Sequence, residues 1–280
     1  MLKDRYINPL TDFGFKKLFG NEPNKVLLID FLNQVLPQQH QIKDLTYLKN
    51  EQLGGSELDR RAIFDLYCQG VSGERFIVEV QKAKQNFFKD RSIFYASFPI
   101  QDQARKGDWN FQLDPVYSVG ILDFTFDDQR EKEDILHLIE LKNQRGEVFY
   151  DKLKFIYIEL PKFQKTEAEL VTHFDKWLYV FRHLANLQDR PKRLQEKIFQ
   201  RLFESAEIAQ FSPSEKDAYE ESLKYYRDIK NVVDTSKEEG IEAGISKRNI
   251  EIAKMMKQNG EPIDKIMRYT NLSREEIEDL

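Results

Sequence analysis

Two acids interrupt apolar runs in the first third of the chain. Asp65 stands within Ala62-Ile-Phe-Asp-Leu-Tyr-Cys68, and Glu79 stands within Phe76-Ile-Val-Glu-Val-Gln-Lys82; both runs read as core strands. Apolar strands rarely bury a carboxylate without a partner for its charge. Between them, Gln69-Gly-Val-Ser-Gly-Glu-Arg75 carries two glycines, a serine and two charges, which is hairpin-turn chemistry. Side chains alternate along a strand, so Glu79 shares a face with Gln81, away from Val78 and Val80. The same alternation groups Asp65 with Ile63 and Tyr67, opposite Phe64, Leu66 and Cys68. A register that sets Asp65 opposite Glu79 lets two carboxylates share one divalent cation; without a cation their repulsion raises a pKa. Mg²⁺ suits such a pair because it takes hard oxygen ligands, needs few protein carboxylates and keeps several waters. A metal held there polarises a phosphoryl oxygen and generates hydroxide near neutral pH, so the chemistry in view is phosphodiester hydrolysis. The alternative is a polar hairpin whose acids face solvent, since an acid pair on two strands is a short motif.

The segment after Glu79 offers further candidates. Asn86 to Gly107 reads as a helix with Pro99 as a kink and Gly107 as its stop. Arg91 and Tyr95 lie one turn apart and share a face. Either both approach a phosphate near the metal, or Arg91 pairs with an acid while Tyr95 packs. Gln103 is a candidate site-lining residue. In a regular strand Lys82 points away from Glu79; Lys84, past the end of the apolar run, is the lysine with room to return to the catalytic face. From Phe76 to Lys106 there are six cations (Lys82, Lys84, Lys89, Arg91, Arg105, Lys106) against three acids (Glu79, Asp90, Asp102). The segment is therefore locally basic, although the whole chain carries −5 with a pI near 5.6, which argues against a surface coated in positive charge.

The elements that must position these residues form an α/β layout. Asn24 to Leu36 is an amphipathic helix with Val26, Ile29, Phe31, Leu32, Val35 and Leu36 at helical spacing and Pro37 as its end. After the acid hairpin and its helix come strands at Pro115–Phe124, Ile135–Leu141 and Phe155–Leu160. From Glu167 helices dominate, over Leu170–Leu187, Lys192–Glu207 and Ser214–Val233, packed by Trp177, Tyr179, Phe181 and Leu184. A charged, glycine-spaced stretch from Lys237 follows, then two short helices with Ser273 and Glu276 as a capping box. That tail reads as a small helix-turn-helix, a helical hairpin or an oligomerisation element. These boundaries divide the chain into 1–165, 166–233 and 234–280. Asp12 and Lys16 read as an N-cap and a helix-surface lysine, with DNA contact or support of the site from the first helix the alternative. Asp30 reads as a solvated helix position rather than a third metal acid. His40, His137, His173 and His183 lack metal-ligand spacing. One cysteine excludes an internal disulfide and cysteine-rich zinc sites. No apolar run is long enough to span a bilayer and the start lacks a signal-peptide stretch, so a cytoplasmic protein without membrane contact is the default.

The order of Asp12-Phe-Gly-Phe-Lys-Lys-Leu-Phe-Gly20, Leu32-Asn33, Asp65, Ile77-Val-Glu-Val-Gln81, Arg91, Tyr95, Gln103, Gly107 and Pro115-Val116 resembles the Rpn family of recombination-promoting nucleases and transposases, within the PD-(D/E)XK nuclease superfamily. The resemblance covers most of the chain and rests on order and spacing rather than on one motif. It implies a restriction-endonuclease-like fold, with a mixed central sheet flanked by helices and an all-helical C-terminal extension. It also implies a magnesium-dependent DNA endonuclease linked to recombination or mobile elements, with Mn²⁺ as the alternative metal and a homo-oligomer compatible with that role. By position, Asp65 matches the first acid and Glu79 the second. Gln81 falls where the superfamily more often has lysine. A lysine stabilises developing charge on phosphate, whereas a neutral glutamine orients only through hydrogen bonds. The family itself tends to show Glu-x-Gln. A catalytically weak nuclease fold that binds DNA or a protein partner is the other reading.

Overall fold

The structure, a computed structural model, describes residues 4–49, 51–52, 62–104, 110–127 and 133–280. The chain opens with α1 (Asp12–Phe19), and its cap is Thr11, whose hydroxyl accepts from the Gly14 N–H, with Asp12 in the first turn instead of the expected cap position. A Cβ on Gly14 would lie 2.0 Å from the Asn8 carbonyl oxygen, so only glycine fits there. The second helix, α2 (Lys25–Val35), buries Leu27, Leu28, Phe31, Leu32 and Val35, while Val26 stays 43% exposed. Its inward stripe is thus rotated from the one expected through Val26, because the helix lies between α1, α4 and α5 and its leucines fill that gap.

Eight strands follow among the described residues: β1 (Leu45–Tyr47), β2 (Glu51–Gln52), β3 (Ala62–Ile63), β4 (Leu66–Gly70), β5 (Arg75–Gln81), β6 (Val116–Leu122), β7 (Leu136–Lys142) and β8 (Val148–Glu159). Six form one mixed sheet in the order β1-β4-β5-β6-β8-β7, and β2 pairs with β3 separately. The β4–β5 hairpin is antiparallel, while β5, β6 and β8 run parallel. Central β6 is buried at every position, Ser118 included, as expected of a parallel strand covered on both faces. Gly73 turns the hairpin at φ +97°, a conformation open to glycine.

One face of the sheet, with Val78, Val80, Val119, Ile121, Ile156 and Ile158, shares a core with α1, α2, α4 (His173–His183) and α5 (Lys197–Ala206). Trp177 and Phe181 of α4 pack on Phe19 and Phe31. The late helices therefore complete the same core as the first two. The other face is covered by α3 (Phe88–Gln101) through Phe64, Tyr67, Ile77 and Phe98, and through Phe88, Ala96, Phe155 and Tyr157. Helix α3 ends at Gln101, two residues beyond Pro99; the expected stop at Gly107 and the cations Arg105 and Lys106 lie outside the described residues.

By internal contacts the chain divides into units 1–226 and 227–280. Helix α6 (Pro213–Gln258) runs unbroken through residues expected to form separate helices, because helix-forming neighbours carry Gly240 and Gly244 through in helical geometry. The second unit has its own small core of Ala253, Ile266 and Ile277, with Met256, Met267 and Leu272 packed on it, built from α6, α7 (Ile263–Thr270) and α8 (Arg274–Glu278). Ser273 and Glu276 form the expected capping box of α8. No helix among the described residues is long and apolar enough to cross a membrane.

Candidate active site

The hairpin ladder pairs Leu66 with Val78 and Tyr67 with Ile77, so the next pair in line is Asp65 with Glu79. Asp65 itself occupies a bend between β3 and β4, where a continuous strand was expected. Its Oδ2 accepts the Val80 N–H at 2.7 Å, which ties the bend to the partner strand. The bend also breaks the alternation: the Phe64 ring packs 5.5 Å from Tyr67 on the α3 side, not with Leu66 and Cys68 as a regular strand predicts.

Glu79 and Gln81 share the face beneath α3, as alternation predicts. Gln81 Nε2 donates to Glu79 Oε2 at 3.0 Å, and Arg91 donates to Gln81 Oε1 at 2.6 Å. Arg91 can only donate, so it fixes the amide orientation: oxygen toward the cation, NH₂ toward the carboxylate. The same guanidinium donates to Gln85 and lies 5.7 Å from the Tyr95 ring. Tyr95, one turn on, meets Phe64 edge-on at 5.6 Å. Across the parallel pair, Glu79 lies beside Gly120, where a Cβ would come 2.9 Å from the Tyr157 ring. Gly120 thus makes room for Tyr157, whose hydroxyl is pushed up to about 12 by burial, with the Glu79 charge adding to it. Neither residue was singled out from sequence, because a glycine in a strand carries no chemistry of its own.

Desolvation, then the neighbouring Asp65 charge, raises Glu79 to about 7, against the opposing pull of Arg91 and the Gln81 hydrogen bond. Burial, then Asp12, raises Asp65, with the Val80 N–H, Lys16 and Lys82 acting the other way. Asp65 also borders a second space, a cavity of about 1200 Å³ shared with Asp12, Lys16, Lys82, Phe13 and Tyr225. Lys82 projects there, away from Glu79 as alternation predicts, with its ammonium 5.1 Å from the Tyr225 ring centre and its pKa lowered by burial. Asp12 and Lys16 pair at 2.8 Å along α1.

The other candidates have partners of their own. Lys84 pairs with Asp127. Buried Gln103 donates to the Pro99 and Asp114 carbonyls and accepts the Asp114 N–H at 2.6 Å, joining the end of α3 to the approach of β6. It lies at the Arg75 end of β5, opposite the Gln81 end. Asp30 accepts from Trp177 Nε1 at 2.7 Å and His173 Nε2 at 2.6 Å, bolting α2 to α4 rather than facing solvent. His137 meets fully buried Glu159 at 3.0 Å.

Asp65 and Glu79 fit a hard divalent cation, because both carboxylates are desolvated and the Asp65 charge raises the Glu79 pKa, an opposition that a cation beside them would relieve. Among the described residues no group of three or more Asp, Glu, His or Cys side chains forms a ready cage, so a cation held by these two acids would take most of its ligands from water and substrate oxygens, as Mg²⁺ does.

The model of one family, described as PD-(D/E)XK nuclease family transposase, matches residues 9–236, and the chain belongs to that family. Membership agrees with the mixed sheet flanked by helices and points to a nuclease or mobile-element role with DNA as the substrate class. No curated protein and no solved structure matches the chain.

Proposed function

We propose that this PD-(D/E)XK nuclease family transposase is a DNA endonuclease dependent on Mg²⁺ or Mn²⁺ and linked to recombination or mobile elements. Asp65 and Glu79 hold the metal, and Gln81 positions the attacking water. The observation that supports this reading is a pair of buried acids at the end of the hairpin, Asp65 tied to the Val80 N–H beside Glu79 and near enough for its charge to raise the Glu79 pKa. When bound there, a divalent cation supplies Lewis-acid polarisation of a phosphate oxygen and a more acidic water. The chain's own residues do the orienting. The Val80 N–H holds the Asp65 carboxylate, and the Gln81 amide, locked by Arg91, holds Glu79. Arg91 stands behind the glutamine and returns, at one remove, the positive charge that a lysine brings at that position.

Purified protein with supercoiled plasmid and Mg²⁺ is expected to yield nicked or linear DNA, and Asp65→Ala to yield none. Equal cleavage by both proteins overturns the site assignment. The neutral Gln81 favours a second reading, a weak or inactive nuclease fold that binds DNA or a protein. Titration calorimetry separates the two, since the binding module takes up no divalent ion.

A further inference from the structure

Beside this site, the link from β5 to α3 presents an aromatic ring to water in an unfavourable backbone conformation. Phe87 precedes α3 with φ 60° and is 79% exposed. A left-handed backbone is disfavoured for any residue with a Cβ, and an exposed phenyl ring forfeits burial. The next residue, Phe88, is buried against Phe124, Phe126 and Tyr157, so the turn at 87 sends adjacent rings in different directions. Between them lies a cavity of about 360 Å³ walled by Lys84, Gln85, Asn86, Phe87, Phe124 and Phe126.

Its chemistry selects among ligands. Lys84 is paired with Asp127, Lys89 lies 4.9 Å over the Phe126 ring, and Asp90 is a second acid in the lining. Two cations against two acids leave no net positive charge for a phosphate. Aromatic faces and side-chain amides remain, which suit the flat, hydrogen-bonding surface of a nucleobase. Position selects too, because Arg91 donates to both Gln81 and Gln85, so one guanidinium braces the wall of this cavity and the Glu79 site.

We propose that this cavity receives an unstacked nucleobase of the DNA strand being cut, with Phe87 as its stacking platform. The inference rests on the nuclease reading above. It makes single-stranded, bulged or locally melted DNA the preferred substrate, since a base inside a regular duplex cannot reach the ring without being extruded.

The test is fluorescence anisotropy with a labelled single strand and with the same sequence as a duplex, in Ca²⁺ buffer, for wild type, Phe87→Gly and Phe87→Trp. Wild type is expected to bind the single strand more tightly than the duplex. Phe87→Gly is expected to weaken single-strand binding by about tenfold while raising the melting temperature, because glycine accepts the left-handed backbone. A loss of binding in a more stable protein cannot be blamed on unfolding. Phe87→Trp is expected to retain binding, with its fluorescence quenched by the strand. Unchanged single-strand affinity in Phe87→Gly overturns the inference and leaves the nuclease reading intact. Absence of DNA binding and of plasmid cleavage in the wild type overturns both.

Discussion

Glu79 governs the behaviour of the site because its charge is the most heavily opposed. Its folded pKa of about 7 exceeds the ordinary 4.5, so the folded chain holds a proton there that the unfolded chain has already lost. The stabilising contribution is complete below the unfolded value and disappears as pH rises through about 7; Asp65, also raised, adds to it in the same direction. Thermal melts in EDTA are expected to show the wild type losing stability from pH 5 to about 8, and Glu79→Gln losing less. Identical slopes would remove Glu79 as the buried acid. Since a proton competes with a metal for the carboxylates, Mg²⁺ affinity by calorimetry is expected to rise over the same interval. Gln81 and Arg91 act as one unit in this geometry. Gln81→Ala and Arg91→Ala are each expected to lower cleavage by about a hundredfold, and the double variant to lose little more; additive losses would show that Arg91 works independently of the amide.

At the scale of elements, stability rests on joins between helices distant in sequence. Asp30 accepts from Trp177 and His173, so it ties α2 to α4 in the core below the sheet. Asp30→Ala leaves the Trp177 N–H without its acceptor and is expected to cost about 1–3 kcal/mol in urea unfolding, with divalent-ion binding unchanged. Helix α6 gives the opposite case. Nothing lies within 4 Å of a Cβ built on Gly240 or Gly244, so each glycine carries the helix-propensity cost without a packing reason. Alanine at both positions is expected to stabilise the helix by about 1 kcal/mol per site, read as increased helicity on heating. The existence of α2, α4 and α5 was legible from apolar spacing, and the α8 cap from Ser273 and Glu276. The break between β3 and β4 was not, since a bend at an acid in an apolar run leaves no mark in local periodicity.

For the whole molecule, the family match ends at residue 236, close to the boundary between the two units at 226 and 227. A chain ending at Val233 is expected to retain plasmid cleavage, with sedimentation showing whether its oligomeric state changes; loss of cleavage in a folded truncation would place essential groups in the second unit. The sequence by itself determined the hairpin that follows Asp65 and carries Glu79, and the shared face of Glu79 and Gln81. Those follow from side-chain alternation and turn chemistry, which are local. It also separated Lys82 from that face for the same reason. Tertiary structure decided the rest. Folding α3 back over the sheet brings Arg91 onto Gln81 and moves Gln103 to the far end, while the segment after β6 captures Lys84 through Asp127. Strand periodicity specifies which face a residue occupies; only packing between segments remote in sequence specifies what it meets there.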